Sequence, residues 1–165
     1  MPADGACRAV RTLAVLGVLA SCASGPALRD GSYRDPDQGW TIAAPAGAWT
    51  RAAAEGADLA LRRDDGVAMS VTSRCEGVSA PPELLARQLG PGFAQPHARE
   101  ALEIAGAPAF AQRFEIERAG RALLIKTVTR ATPRCVQDFV LVTPAGKSDA
   151  EAVFDAWLAS FEEPR

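Results

Sequence analysis

The sequence predicts an α+β domain: an antiparallel sheet of about six strands with helices packed on it. Three observations predict that class. Residues 57–75 and 101–130 carry alternating apolar positions broken by glycine-containing turns, the pattern of β-hairpins. Cys135 to Val142 reads as apolar on both faces, with Phe139 and Leu141 on one and Val136, Val140 and Val142 on the other. Such a run suits a central strand covered from both sides. Val153, Phe154, Trp157, Leu158 and Phe161 fall on one stripe at helical spacing.

Taken in order, Trp40-Thr41-Ile42 reads as a short strand closed by Pro45, with Trp49 following. Ala57 to Arg63 places Leu59 and Leu61 on one face and Asp58 and Arg62 on the other. Asp64-Asp65-Gly66 turns it into Val67 to Cys75, where Val67, Met69 and Val71 alternate. Ser79 to Leu89 has a capping serine, prolines in the first turn and Leu84, Leu85 and Leu89 on one side, which predicts a short helix ended by Gly90-Pro91-Gly92. Ala101 to Ile104 is the next strand, with a turn at Ala105 to Pro108. Phe110, Phe114 and Ile116 then alternate with Arg113, Glu115 and Glu117, and Ala119-Gly120 leads into Arg121 to Arg130. Ser148 and Glu151 have the spacing of a capping box at the start of the last helix.

The chain has 165 residues, 48% of them apolar and 23% charged. These are the proportions of one globular domain rather than of a disordered chain. The formal charge is −2, so a nucleic-acid partner, which calls for a basic patch or stripe, is not expected.

The first residues are of another kind. Arg8 and Arg11 precede a nine-residue apolar run, Thr12 to Ala20, and small residues follow. This is the order of a secretory signal, and the run is too short to span a bilayer, which takes about 20 residues. Leu19-Ala20-Ser21-Cys22 at its end resembles the lipobox of bacterial lipoproteins. The resemblance implies cleavage before Cys22, a diacylglyceryl group on its sulfur and an anchor to the membrane. Two or three acyl chains, at about 0.8 kcal/mol per buried methylene, hold a protein stably. Ala23, where retention at the inner membrane would call for Asp, implies sorting to the periplasmic face of the outer membrane. Residues 1–21 are thus expected as signal peptide, and Cys22 with 23–38 as a lipidated flexible tether. At 16 residues, rich in Gly, Pro, Asp and Ser, that tether would reach roughly 20–25 Å. Asp35-Pro36-Asp37 is read as a turn, since an EF-hand loop needs further ligands at fixed spacing. Residues 39–162 form the single domain.

Within that domain, Gly39-Trp40-Thr41-Ile42 through Pro45 to Trp49, the paired hairpins and the ending Leu158-Ala159-Ser160-Phe161 resemble PsbP-like domains. The resemblance implies an α-β-α sandwich around an antiparallel sheet and mostly non-catalytic binding roles.

Residues capable of catalysis are sparse. Gly146-Lys147-Ser148 lies where a P-loop would, but position 141 is Leu rather than the glycine such a loop needs, so it reads as a helix start. His97 is the one histidine and no serine sits in a G-x-S-x-G setting, so a surface histidine is expected. With one histidine and no Cys-x-x-Cys, a zinc site is not expected. Glu115 and Glu117 read as a solvated sheet face, Glu162-Glu163 as a charged tail, and Trp40, Trp49 and Trp157 as core. No cofactor or metal is expected.

The four cysteines complete the reading. Cys7 leaves with the signal and Cys22 carries lipid, so Cys75 and Cys135 remain, in an oxidising compartment, at the same end of the expected sheet. A disulfide between them is expected, with two buried thiols or an intermolecular bridge as the alternatives. The function expected is a non-catalytic protein-binding or assembly module, anchored to the membrane by its lipid and partnered by another envelope protein. An envelope hydrolase with an unusual site and a small-ligand carrier are the alternatives.

Overall fold

The computed structural model describes residues 25–77, 80–92 and 94–163. The expected lipidation site Cys22 and the expected capping residue Ser79 lie outside them. Two antiparallel sheets share one core. The smaller has the order β1-β2-β3, from Ala27–Arg29, Ser32–Arg34 and Thr41–Ala43.

Residues 27–38, expected as tether, are therefore folded. Asp30 and Gly31 adopt φ of 50° and 74°, the left-handed pair that lets a two-residue turn match the twist of its strands. The register Leu28↔Tyr33 and Tyr33↔Ile42 puts Tyr33 in the core. A composition rich in Gly, Asp and Ser concealed a hairpin whose alternation spans only a few residues. The turn at Asp35 is present: its Oδ1 accepts from the backbone N–H of Asp37 at 2.9 Å and of Gln38 at 2.6 Å.

The larger sheet has seven strands in the order β4-β5-β6-β10-β9-β8-β7. These are Thr50–Arg51, Leu59–Arg62, Ala68–Arg74, Val136–Pro144, Arg121–Ala131, Ala107–Arg118 and Ala98–Ile104 respectively. The strand expected to be central, β10, is the fourth of seven. The two long hairpins turn through Ala105-Gly106 and Ala119-Gly120, all at positive φ.

Helix α2, Ser148–Ala159, covers one face. Phe154, Trp157 and Leu158 are buried against Phe139, Leu141, Met69 and Val71, as the stripe predicts. The rings of Phe139 and Trp157 meet edge to face at 6.1 Å, and those of Phe139 and Phe161 at 5.2 Å. Trp40 reaches Phe161 at 6.0 Å and joins the small sheet to the same core.

The start of α2 differs from the expectation. Its cap is Lys147, with no side-chain cap bond. Glu151 instead accepts two bonds from the Arg113 guanidinium, at 3.1 and 3.0 Å. A bidentate charge-assisted pair outcompetes a neutral backbone N–H for that carboxylate.

The end of the chain also differs. Glu162 pairs with Thr41 through two backbone hydrogen bonds of 2.8 Å, and Glu163 meets buried Arg130 at 2.9 Å. The pair expected as a charged tail is thus part of the fold. Arg130 further donates to the Ile104 carbonyl at 2.8 Å and Gln137 Oε1 at 2.7 Å, and lies 5.3 Å from the Phe161 ring.

Helix α1, Pro82–Ala86, packs over β8 and β9 on the opposite face and completes an α-β-α arrangement. It is shorter than expected, and Ala86 rather than Leu84 is its buried residue; Leu84 is 50% exposed. Two residues along a helix is roughly 200° of rotation, so burying Ala86 turns Leu84 outward. The small Ala86 methyl lets the helix backbone approach the sheet.

Candidate functional site

The face beneath α1 carries polar side chains where a core would be apolar. Strand register explains which ones meet. Asp138 lies opposite Thr129 on one neighbour and Thr72 on the other. Its Oδ1 accepts from the Thr129 hydroxyl at 2.9 Å and its Oδ2 from Arg74 at 2.8 Å. Asp138 is only 5% exposed, and that burial raises its pKa above the ordinary 3.8, outweighing the Thr129 bond and the Arg74 charge. A carboxylate held by a hydroxyl and a guanidinium anchors the sheet, and the Thr129 hydroxyl beside it is fully buried, closed to a substrate.

A second row crosses the outer strands. Arg99 on β7 faces Gln112 on β8, which faces Thr127 on β9. Gln112 and Thr127 are buried, yet Gln112 Oε1 and Thr127 Oγ1 have no hydrogen-bond partner. Each unmet buried group costs about 1–3 kcal/mol. Arg99, Gln112 and Phe114, with Arg87 and Gly90, line a cavity of about 610 Å³ between this row and the connection from α1 to β7.

The residues singled out in the sequence take these positions. Cys75, just after β6, and Cys135, just before β10, are joined by a disulfide with Cα atoms 4.0 Å apart. His97 is exposed. Its Nε2 is 3.2 Å from Arg113 and 3.8 Å from Glu115, with no hydroxyl or thiol among its hydrogen-bond partners. Lys147 pairs with Asp65 at 3.4 Å beside the helix start. Glu115 and Glu117 are exposed. Trp40 and Trp157 are core residues, while Trp49 packs on the core's margin with Arg63 5.4 Å from its ring. Among the described residues, no three His, Cys, Asp or Glu side chains gather as metal ligands, and no helix is long and apolar enough to cross a membrane.

Sequence reasoning missed Asp138, Gln112, Thr127 and Arg130. The signal for Asp138 was present: Gln137-Asp138 interrupts an otherwise apolar strand, and a polar pair there must be buried with partners.

No family model matches the sequence, and no curated protein does. Solved structures do match. The solution structure of cyanobacterial PsbP (CyanoP) from Synechocystis sp. PCC 6803 superposes with a TM-score of 0.57 at 18% identity, covering 90% of this chain and 100% of that one. The chain is similar in fold to PsbP. A crystal structure from Bacteroides thetaiotaomicron VPI-5482 gives a TM-score of 0.56 at 12% identity, covering 76% of this chain and 45% of that chain. The present chain therefore spans less than half of that protein. LpqN, involved in cell envelope biogenesis of Mycobacterium tuberculosis, is more distant, with a TM-score of 0.44 at 11% identity over 84% of this chain and 82% of its own. At such identities the likeness to PsbP extends to the antiparallel sheet and its flanking helices, not to individual side chains.

Proposed function

We propose that the protein is a membrane-anchored envelope lipoprotein whose PsbP-like domain is a non-catalytic module that binds or helps assemble another envelope protein. The observation that carries this reading is how the reactive side chains are engaged. The one histidine faces Arg113 and Glu115, the two domain cysteines are bonded to each other, and buried Asp138 is held by Thr129 and Arg74. A nucleophile needs a neighbouring base and access to a substrate; the one hydroxyl in these contacts, that of Thr129, is fully buried. The signal segment and Cys22 support the anchor.

Residues 23 and 24 separate Cys22 from the first described residue. At no more than ~3.3–3.6 Å per residue, a lipid on Cys22 would hold β1 and β2 near the membrane surface. Metabolic labelling with palmitate tests the anchor. The wild type should be labelled and Cys22→Ala should not; equal labelling of both refutes it.

A further inference from the structure

We propose that β7 is a docking edge for a second copy of this chain, whose own β7 pairs with it antiparallel about a two-fold axis at Ala101. This goes beyond the docking role above and stands or falls separately from it. Strands β4 and β7 end the seven-stranded sheet. β4 is two residues long, too short to template another strand. β7 runs for seven residues, Ala98–Ile104, with no proline or lysine, and among the described residues only β8 pairs with it. Residues 98–101 and 103 are exposed. An edge of this length presents unpaired backbone N–H and C=O groups to a matching strand.

The charges on β7 select the strand that matches. Arg99 and Glu103 share one face, two residues on either side of Ala101. Neither makes an ion pair among the described residues. Pairing about Ala101 sets Arg99 of each copy opposite Glu103 of the other, so one symmetric register makes two cross-strand ion pairs. Moving the axis one residue back sets Glu100 against its own copy and Arg99 against Ala101. Moving it one residue forward sets Arg99 against Ala105 and Glu103 against Ala101. Neither shift joins opposite charges. On the other face Leu102 is half-buried against the core. The axis at Ala101 brings it diagonally to Leu102 of the second copy, within reach of long side chains, and extends the core across the join. The two Glu100 side chains share that face. They lie on the diagonal, roughly 7–8 Å apart against roughly 4.5–5.5 Å for the directly opposed pairs, and solvent screens them.

The test places a cysteine at the axis. Ala101→Cys sets the two introduced thiols on opposed positions, within the roughly 4.4–6.8 Å of Cα separation that a disulfide needs. Ala98→Cys is the control: it lies on the same edge, yet the axis holds its two copies about 20 Å apart. The full chain in mild detergent is gently oxidised, and disulfides joining the introduced positions are measured by mass spectrometry of unreduced peptides. A covalent trap is needed because one pair of edge strands is a small interface whose complex is short-lived in dilute solution. Ala101→Cys should give at least about tenfold more self-disulfide than Ala98→Cys. Adding Arg99→Glu or Glu103→Arg to the Ala101→Cys chain should lower the yield at least about fivefold, because both pairs become like-charged. Mixing these two variants should restore it, since each supplies the charges the other lacks. Should either fail to fold by circular dichroism, the double substitution Arg99→Glu with Glu103→Arg keeps both pairs with signs exchanged and must cross-link like the parent. The proposal is overturned by equal yields at positions 101 and 98, the mark of chance encounters in a micelle. A yield unchanged in Arg99→Glu overturns it too, as does a mixture of folded variants, or a folded double variant, that recovers no cross-linking. Ala101→Cys recovered from cells bonded to a different protein, and not to itself, overturns it in favour of another strand donor.

Discussion

Replacing Glu163 by Ala probes the ion pair that fastens the end of the chain beneath the sheet. Arg130 is 2% exposed, and its Nη1 is 2.9 Å from Glu163 Oε2. Removing one partner of a buried pair costs about 3–5 kcal/mol, because the other charge stays buried without compensation. Here the low end applies, about 3 kcal/mol. The Glu163 side chain keeps 17% exposure, which admits water, and Arg130 retains its bonds to the Ile104 carbonyl and to Gln137. For a domain of this size that loss lowers Tm by about 10 °C. Thermal unfolding followed by circular dichroism measures it, together with Arg130→Met and the double variant. The double variant should be less destabilised than the sum of the singles by about 2 kcal/mol, since the pair acts as a unit. A fall in Tm below about 3 °C for Glu163→Ala, or additivity within about 0.5 kcal/mol, would refute the reasoning.

Other consequences follow from the same contacts. Reducing Cys75–Cys135, which closes a 60-residue separation, should destabilise the domain by about 4 kcal/mol in the chain-entropy model. Unfolding in urea with and without reductant reads that difference, and coincident curves would contradict it. Asp138 has a folded pKa raised above 3.8 by burial, so the stability it contributes is fully present below pH 3.8 and is lost as pH rises through the folded value. The stability of the wild type relative to Asp138→Asn should therefore increase as pH is lowered from 7 towards 4; a flat or opposite trend in urea midpoints would refute the assignment. Trp157 Nε1 is buried with no acceptor, so Trp157→Phe should cost under about 1.5 kcal/mol. Phe154→Ala empties part of the same core and should cost about 3–5 kcal/mol. Equal losses for these two variants would contradict this prediction.

The long elements were legible because their periodicity extends over many residues. The apolar run around Phe139 and Leu141 marked the middle strand, and the stripe from Val153 to Phe161 marked α2. Elimination among four cysteines singled out Cys75 and Cys135. Short elements were not legible. The hairpin of β1 and β2 offers only Leu28 and Tyr33 as an alternating pair around Asp30-Gly31, and its composition is that of a linker. Glu151 satisfied the sequence rule for a capping box, but Arg113 lies 38 positions away and only the folded sheet brings it to the helix. The spacing of Leu84, Leu85 and Leu89 suggested the apolar side of α1, but it is the small Ala86 that is buried against the sheet while Leu84 is exposed. The polar row of Arg99, Gln112 and Thr127 belongs to three strands, so its existence depends on register, which no single run of the sequence displays.

The central claim is that this domain engages another envelope protein while anchored to the membrane. Photo-crosslinking in intact cells tests it most directly, with a photoreactive residue placed singly at Leu28 and at Leu84, the exposed large apolar positions on β1 and α1. The account predicts a discrete adduct with one envelope protein from at least one position, identifiable by mass spectrometry and diminished in Cys22→Ala. No adduct from either position, joined to a turnover activity that a single substitution abolishes without unfolding the chain, would contradict it.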